Sequence, residues 1–192
     1  MTQPDAIAAA TSLARSFERF QVRYVLGGSM ASTSYGEPRS TLDADFAADL
    51  NLSHFEAWAD EVEKDFYFDR EWARNEVASR GSFQLLHRQS LVRIDVFVPV
   101  WAGLDLWKWE QRKRLVLGDE KQSIDVTSAE GIVLQKLLWY ESGGRSSDRQ
   151  WRDVVSVLAH QRTRLDRSAL AHWAKQLELE QLLQRALKDA GV

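Results

Sequence analysis

Asp43 and Asp45, one residue apart, and Asp95 on a later apolar segment are the side chains whose type and spacing can do chemistry. They stand in Arg39-Ser40-Thr41-Leu42-Asp43-Ala44-Asp45 and in Arg93-Ile94-Asp95-Val96-Phe97. Along a strand alternate side chains share a face, so Asp43 and Asp45 point one way while Ala44 and Phe46 point into the core. Three converging carboxylates repel one another unless a cation neutralises them, and hard oxygen donors of this kind suit Mg²⁺ or Mn²⁺. Ahead of them, Tyr24-Val25-Leu26-Gly27-Gly28-Ser29 reads as a buried strand stopped by a tight turn, with a short helix following from Met30 to Tyr35. Backbone N–H groups at such a helix entry attract an anion. Each piece alone has a plainer reading, since Asp-x-Asp is often a pair of solvated turn carboxylates and Gly-Gly marks any tight turn. Their order and spacing together describe a metal-and-phosphate site.

The elements that must position these residues follow from periodicity. A first helix is predicted from about Asp5 to Phe20, with Ile7, Ala10, Leu13, Ala14 and Phe17 on one side. Strands are predicted at Val22–Leu26, from Asp43 to near Asp49, at Ser82–His87 and at Leu91–Val98. Between them lie a helix capped by Ser53 and running to about Lys64, and a second over Arg70–Ser79. Beyond Val100 the pattern predicts a short helix near Leu104–Arg112 and a hairpin from Arg114 to Val126 that turns at Gly118-Asp119. The capping-box spacing of Thr127 and Glu130 predicts a helix through Tyr140, broken at Gly143-Gly144. Ser147 or Asp148 caps the next helix, whose apolar stripe reads Trp151, Val154, Val155 and Leu158. Two amphipathic helices complete the chain between about Asp166 and Ala190. The fold class predicted is α/β (α+β), a mixed sheet flanked by helices. Its core spans residues 1–100, and a mainly helical part, residues 101–192, packs on it.

Composition narrows the class. The chain has 192 residues, 44% hydrophobic and 28% charged, which excludes a disordered protein. No apolar run approaches the roughly 20 residues of a membrane-crossing helix, and Met1-Thr2-Gln3-Pro4-Asp5 lacks a secretory pattern. The absence of Cys excludes disulfide and thiolate chemistry, and cytoplasm is the expected compartment. The net charge of −3 divides as −5 over residues 1–100 and +2 over the rest, so neither half announces a long nucleic-acid footprint. Basic clusters from Lys108 to Arg114 and Arg145 to Arg167 read as solvated helix faces or a tRNA-binding surface. Of the eight Trp, Trp58, Trp72, Trp139, Trp151 and Trp173 fall in helical patterns and read as packing. Trp101, Trp107 and Trp109 form a cluster on which a base could stack.

The succession of strand, Gly-Gly-Ser, short helix, Arg-x-Thr-x-Asp-x-Asp and a third Asp on an alternating strand resembles the nucleotidyltransferase fold of the DNA polymerase beta superfamily. The segments Ser82–His87, Glu130–Leu137 and Arg149-Gln150-Trp151-Arg152-Asp153-Val154 are similar to small bacterial nucleotidyltransferase-like proteins. That group is related to the abortive-infection toxins of type IV toxin–antitoxin systems. The resemblance implies a metal-dependent enzyme that moves NMP from an NTP such as ATP to an acceptor (small molecule, tRNA or protein), with a cognate antitoxin as a partner. The alternative is an inactive nucleotide- or partner-binding protein of the same fold. By the same resemblance, Asp43, Asp45 and Asp95 hold Mg²⁺ or Mn²⁺ and Asp95 helps deprotonate the acceptor. Gly27, Gly28 and Ser29 cradle the triphosphate, and Lys136 contacts nucleotide phosphate. Sequence alone reads Lys136 as an exposed helix lysine. Arg39 either binds phosphate or pairs with Glu37, and Asp153 either partners Lys136 in support of the site or makes a helix-surface salt bridge.

Overall fold

Ala44, Phe46 and Ala48 are fully buried, whereas Asp43 and Asp45, which alternate with them, stay partly accessible, so strand β2 (Asp43–Ala48) has one face in the core and one outside. This alternation organises the computed structural model, which describes residues 2–118 and 123–192. The described chain divides into two units, Met1–Met30 with Ser40–Val126, and Ala31–Arg39 with Thr127–Val192.

The first unit contains helix α1 (Gln3–Arg19), strand β1 (Tyr24–Leu26), the entry of helix α2 (Gly28–Tyr35), β2, and helix α3 (Leu52–Val62). After these come β3 (Phe66–Tyr67), α4 (Arg70–Ser79), β4 (Ser82–His87), β5 (Arg93–Phe97), α5 (Gly103–Glu110), β6 (Lys113–Val116) and β7 (Ser123–Val126). Among the described residues these strands form one mixed sheet in the order β3-β4-β5-β2-β1-β7-β6. β2 runs parallel to β5 and antiparallel to β1, and β7 joins β1 in parallel. The covered face carries Phe46, Ile94, Val96, Phe83 and Leu85. Over it packs an aromatic cluster in which Phe17 of α1 stacks on Trp58 of α3 at 5.7 Å, and Trp58 meets Phe83 edge-on. The Trp58 indole N–H donates to Ser16 Oγ, so the largest buried ring also satisfies its polar group.

The second unit is helical: the rest of α2, then α6 (Ala129–Ser142), α7 (Asp148–Gln161), α8 (Arg167–Gln176) and α9 (Glu180–Asp189). Its core is built from Ile132, Val133, Leu134, Leu137, Val154, Val157, Leu158, Leu170 and Leu183.

The mixed α/β class expected from the sequence is the one observed, and α4 and β4 fall on their expected bounds. Several details differ. Asn51, not Ser53, caps α3, its side chain accepting from the Ser53 N–H at 3.0 Å. Ser128, not Thr127, caps α6, and Glu130 accepts from the Asp166 N–H instead of closing a capping box. On α7 the buried residues are Asp153, Val154, Val157 and Leu158, so Asp153 and Val157 stand on the inner stripe where Trp151 and Val155 were expected. Trp72 does not pack: it is 58% exposed. The first unit extends to Val126 instead of ending at residue 100, because β7 pairs with β1 through Leu26 and Val126 and belongs to the sheet. The hairpin of β6 and β7 forms, with Asp119 of its expected turn outside the described residues.

Candidate active site

The parallel pairing of β2 with β5 sets Asp43 opposite Arg93 and Asp45 opposite Asp95. Because side chains alternate, Asp43, Asp45 and Asp95 share the sheet face opposite the core, as their spacing predicts. Arg93 shares it too: its guanidinium lies 3.7 Å from Asp43 and 3.9 Å from Asp95, a cation between two of the three acids. Among the described residues no three His, Asp or Glu side chains are gathered into a ready metal set. The donor chemistry suits a hard divalent ion, and the face already collects positive charge through Arg93, but to hold a metal the three carboxylates must turn toward one point.

The Gly-Gly-Ser turn meets this face directly. The Gly27 N–H donates to the Asp45 carbonyl at 2.8 Å, so that amide is used in extending the sheet. Gly28 has φ +59°, a left-handed conformation, and a Cβ built on it falls 1.8 Å from Asp45 Oδ2 and 2.5 Å from Asp45 Cγ. Glycine at 28 is therefore required twice, by the turn and by the Asp45 side chain lying against it. Ser29 follows in the first turn of α2.

In the second unit, Asp153 receives two parallel hydrogen bonds from Arg39, Nε to Oδ1 and Nη2 to Oδ2, both 2.9 Å. Lys136 Nζ donates to the same Oδ2 at 2.7 Å and to Gln150 Oε1 at 3.0 Å. Lys136 is 1% exposed, so the reading as a solvated helix lysine does not hold, and Asp153 is its partner. Arg39 pairs with Asp153. It lines a cavity of about 390 Å³ with Arg149, Arg152 and Ser156. Sequence reasoning missed Gln150 and the role of Arg93. The period-2 spacing of Arg93 from Asp95 was a usable signal; nothing local marked Gln150.

Burial pushes the Asp153 carboxyl up, yet the hydrogen bonds and charges of Arg39 and Lys136 outweigh it and hold the group below its ordinary 3.8. A carboxylate depressed in the folded state contributes stability that is present above the unfolded value and lost as pH falls through the folded one. The stability gap between the parent and Asp153→Asn is therefore expected to be constant near neutrality and to narrow below about pH 4. Urea midpoints from pH 3 to 7 check this, and a gap unchanged down to pH 3 would contradict the ion-pair account.

Within the tryptophan cluster, Trp109 is engaged by the protein's own side chains. Trp109 lies under the Arg112 guanidinium at 4.2 Å and the Arg23 guanidinium at 5.2 Å, with Trp101 edge-on at 6.4 Å. That ring packs with its own cations instead of offering a stacking platform for a base.

No family model matches the chain, and no curated protein matches it. Solved structures do. An antigenic nucleotidyltransferase-like protein from Paracoccidioides brasiliensis aligns over 98% of this chain and 94% of its own, with a TM-score of 0.59 at 16% identity. The antibiotic-resistance factor ANT(2'')-Ia aligns over 95% and 94%, with a TM-score of 0.58 at 12% identity. The lincosamide antibiotic adenylyltransferase LnuA, solved with lincomycin bound, aligns over 78% and 94%, with a TM-score of 0.52 at 14% identity. At such identities the likeness speaks for backbone architecture alone: the chain has the nucleotidyltransferase fold.

Proposed function

We propose that this protein is a divalent-metal-dependent nucleotidyltransferase that moves NMP from an NTP to an acceptor hydroxyl and releases pyrophosphate. The observation that carries the reading is the β2/β5 register, which sets Asp43, Asp45 and Asp95 on one face with Gly28 against Asp45. Asp43, Asp45 and Asp95 would hold Mg²⁺ or Mn²⁺, whose charge would offset that of the triphosphate. The backbone at Gly28 and the Ser29 hydroxyl would bind phosphate oxygens, whereas the Gly27 amide is committed to Asp45. Asp95 would take the acceptor proton as the acceptor oxygen bonds to the α-phosphorus. The bond from that phosphorus to the bridging oxygen then breaks, and pyrophosphate leaves with the electron pair. In the second unit, Arg39 and Lys136 are proposed as phosphate ligands. Arg39 has the stronger case, because it lines a cavity with two other arginines while Lys136 is enclosed.

Among the solved neighbours, LnuA is an adenylyltransferase of an antibiotic, which supports adenylate transfer to a small acceptor and makes ATP the first nucleotide to test. A toxin role with a cognate antitoxin rests on the sequence resemblance alone, and an antitoxin gene beside this one would support it. Among the described residues no helix is long and apolar enough to cross a membrane. A cytoplasmic location is proposed on the lack of Cys.

Asp45→Asn tests the reading. Asn keeps the shape of Asp45 and removes one of three like charges on a shared sheet face, so the variant should fold. It should lose Mn²⁺-dependent stabilisation by ATP and fall about 100-fold or more in transfer of labelled NMP, since charge placed at the reacting phosphate is usually the largest catalytic term. Parent-like transfer would sink the proposal. Nucleotide binding without transfer to any acceptor would instead mark a nucleotide-binding protein.

A further inference from the structure

The β2/β5 register gives the acidic face a cation of its own. Arg93 stands opposite Asp43 on β2 and two residues from Asp95 on β5, and its guanidinium lies 3.7 Å from the first carboxylate and 3.9 Å from the second. Its neighbour on the other side is Leu86 of β4, which carries no charge. The side chains of Arg93 and Asp43 are 52% and 46% exposed, so the guanidinium is held there by charge and not by packing. Both separations exceed the roughly 2.7–2.9 Å of a charge-assisted hydrogen bond, and a move of the guanidinium breaks no tight contact. The cavity beside Asp95 adds Asp69 and, among its described lining residues, no Lys or Arg. Arg93 is therefore the cation that Asp95 meets on its own strand.

We infer that Arg93 is a built-in counter-cation of the acidic face, which competes with a divalent ion in the nucleotide-free protein and passes to a phosphate oxygen once ion and nucleotide are bound. The inference rests on the transferase reading and gives that site an order of loading. Asp43, Asp45, Asp95 and Arg93 carry a formal charge of −2, against −3 for the acids alone, so the guanidinium takes up part of the attraction that draws a divalent ion. To hold a metal, Asp43 and Asp95 must turn toward one point, and both now stand beside Arg93. Once they turn, the guanidinium faces a second cation and is repelled. A phosphate chain at the Gly28 turn offers it a partner that matches its planar fork. The long side chain makes this exchange without any shift of β5. Metal and nucleotide then favour each other through one residue, and the coupling acts equally in both directions.

Titration with Mn²⁺ alone, read by the electron paramagnetic resonance of the free ion, tests the first half. Arg93→Gln should bind Mn²⁺ about fivefold more tightly than the parent, with the gain shrinking at high salt. Arg93→Lys keeps the charge and should stay within about twofold of the parent. Calorimetry with ATP at saturating Mn²⁺ tests the second half: affinity should fall about tenfold in Arg93→Gln and less in Arg93→Lys. Thermal unfolding in EDTA checks that the variants fold. Opposite signs for metal and nucleotide are the signature, since an arginine that only shapes the site would weaken both and a bystander neither. Unchanged or weaker Mn²⁺ binding by Arg93→Gln would overturn the counter-cation role, and parent-like ATP affinity would overturn the passage to phosphate. The parent alone tells the two failures apart. Absence of Mn²⁺ and ATP binding there would sink the transferase reading, whereas binding that Arg93→Gln leaves unchanged would sink only this inference.

Discussion

Lys136→Met is expected to lower stability by about 3–5 kcal/mol, because it leaves Asp153 buried with one of its two cationic partners gone. Both Lys136 and Asp153 are enclosed, with side chains 2% and 8% exposed, so solvent screening offers little relief. For a chain of this length that loss corresponds to a fall in Tm of roughly 10 °C, read by urea or thermal unfolding. Arg39 cannot make up the difference, since its two hydrogen bonds to Asp153 are already formed. The double variant Lys136→Met with Asp153→Leu should regain more than half of the lost stability, because an apolar pair of similar volume removes the stranded charge. A loss below about 1 kcal/mol in the single variant would mean that water reaches Asp153 and the pair is not a structural element. The double variant also separates folding from binding. If Lys136 is a phosphate ligand, its ATP affinity should stay about tenfold or more below that of the parent even with stability recovered. Parent-like affinity would give Lys136 a scaffold role alone.

Gly28→Val is expected to cost more in activity than in stability. The left-handed φ of +59° is strained for a β-branched residue by about 1–2 kcal/mol. The larger effect comes from Asp45, whose Oδ2, Cγ and Cβ stand 1.8, 2.5 and 2.9 Å from where the new Cβ must go. The carboxylate has to leave the face it shares with Asp43 and Asp95, and displacement of about 1 Å at a reacting centre can cost roughly 100-fold in rate. A cycle with Gly28→Ala and Asp45→Ala isolates the contact. Removing the Asp45 carboxylate should make Gly28→Ala at least 1 kcal/mol less destabilising than in the parent. Equal costs in the two backgrounds would mean that backbone strain alone requires the glycine.

The reason for Gly28 shows the limit of reading along the chain. Its place in a Gly-Gly-Ser turn was legible, and so was an affinity of that turn for phosphate, but the partner that excludes a side chain there is Asp45, brought by β2 pairing with β1. Trp72 shows the same limit from the other side. Helical periodicity placed it on a helix, where it is, yet which side of α4 would be covered depended on where α3 and β4 pack.

What the sequence determined by itself were the properties carried by local order: α4 and β4 at their expected bounds, the alternation that turns Asp43, Asp45 and Asp95 out of the core, and the breaks at Gly28 and Gly143-Gly144. Periods of 2 and 3.6 and the conformational demands of glycine act within a few residues, so a linear reading captures them. Tertiary structure alone decided that Asp45 faces Asp95 across a parallel pair, that Arg93 stands between two acids, and that residues 113–126 join the first sheet. It also decided that Lys136 is buried against Asp153 instead of exposed. Strand register and the burial of a charge depend on groups tens of residues apart that meet only when the whole apolar surface is covered, and no local pattern encodes which partner arrives.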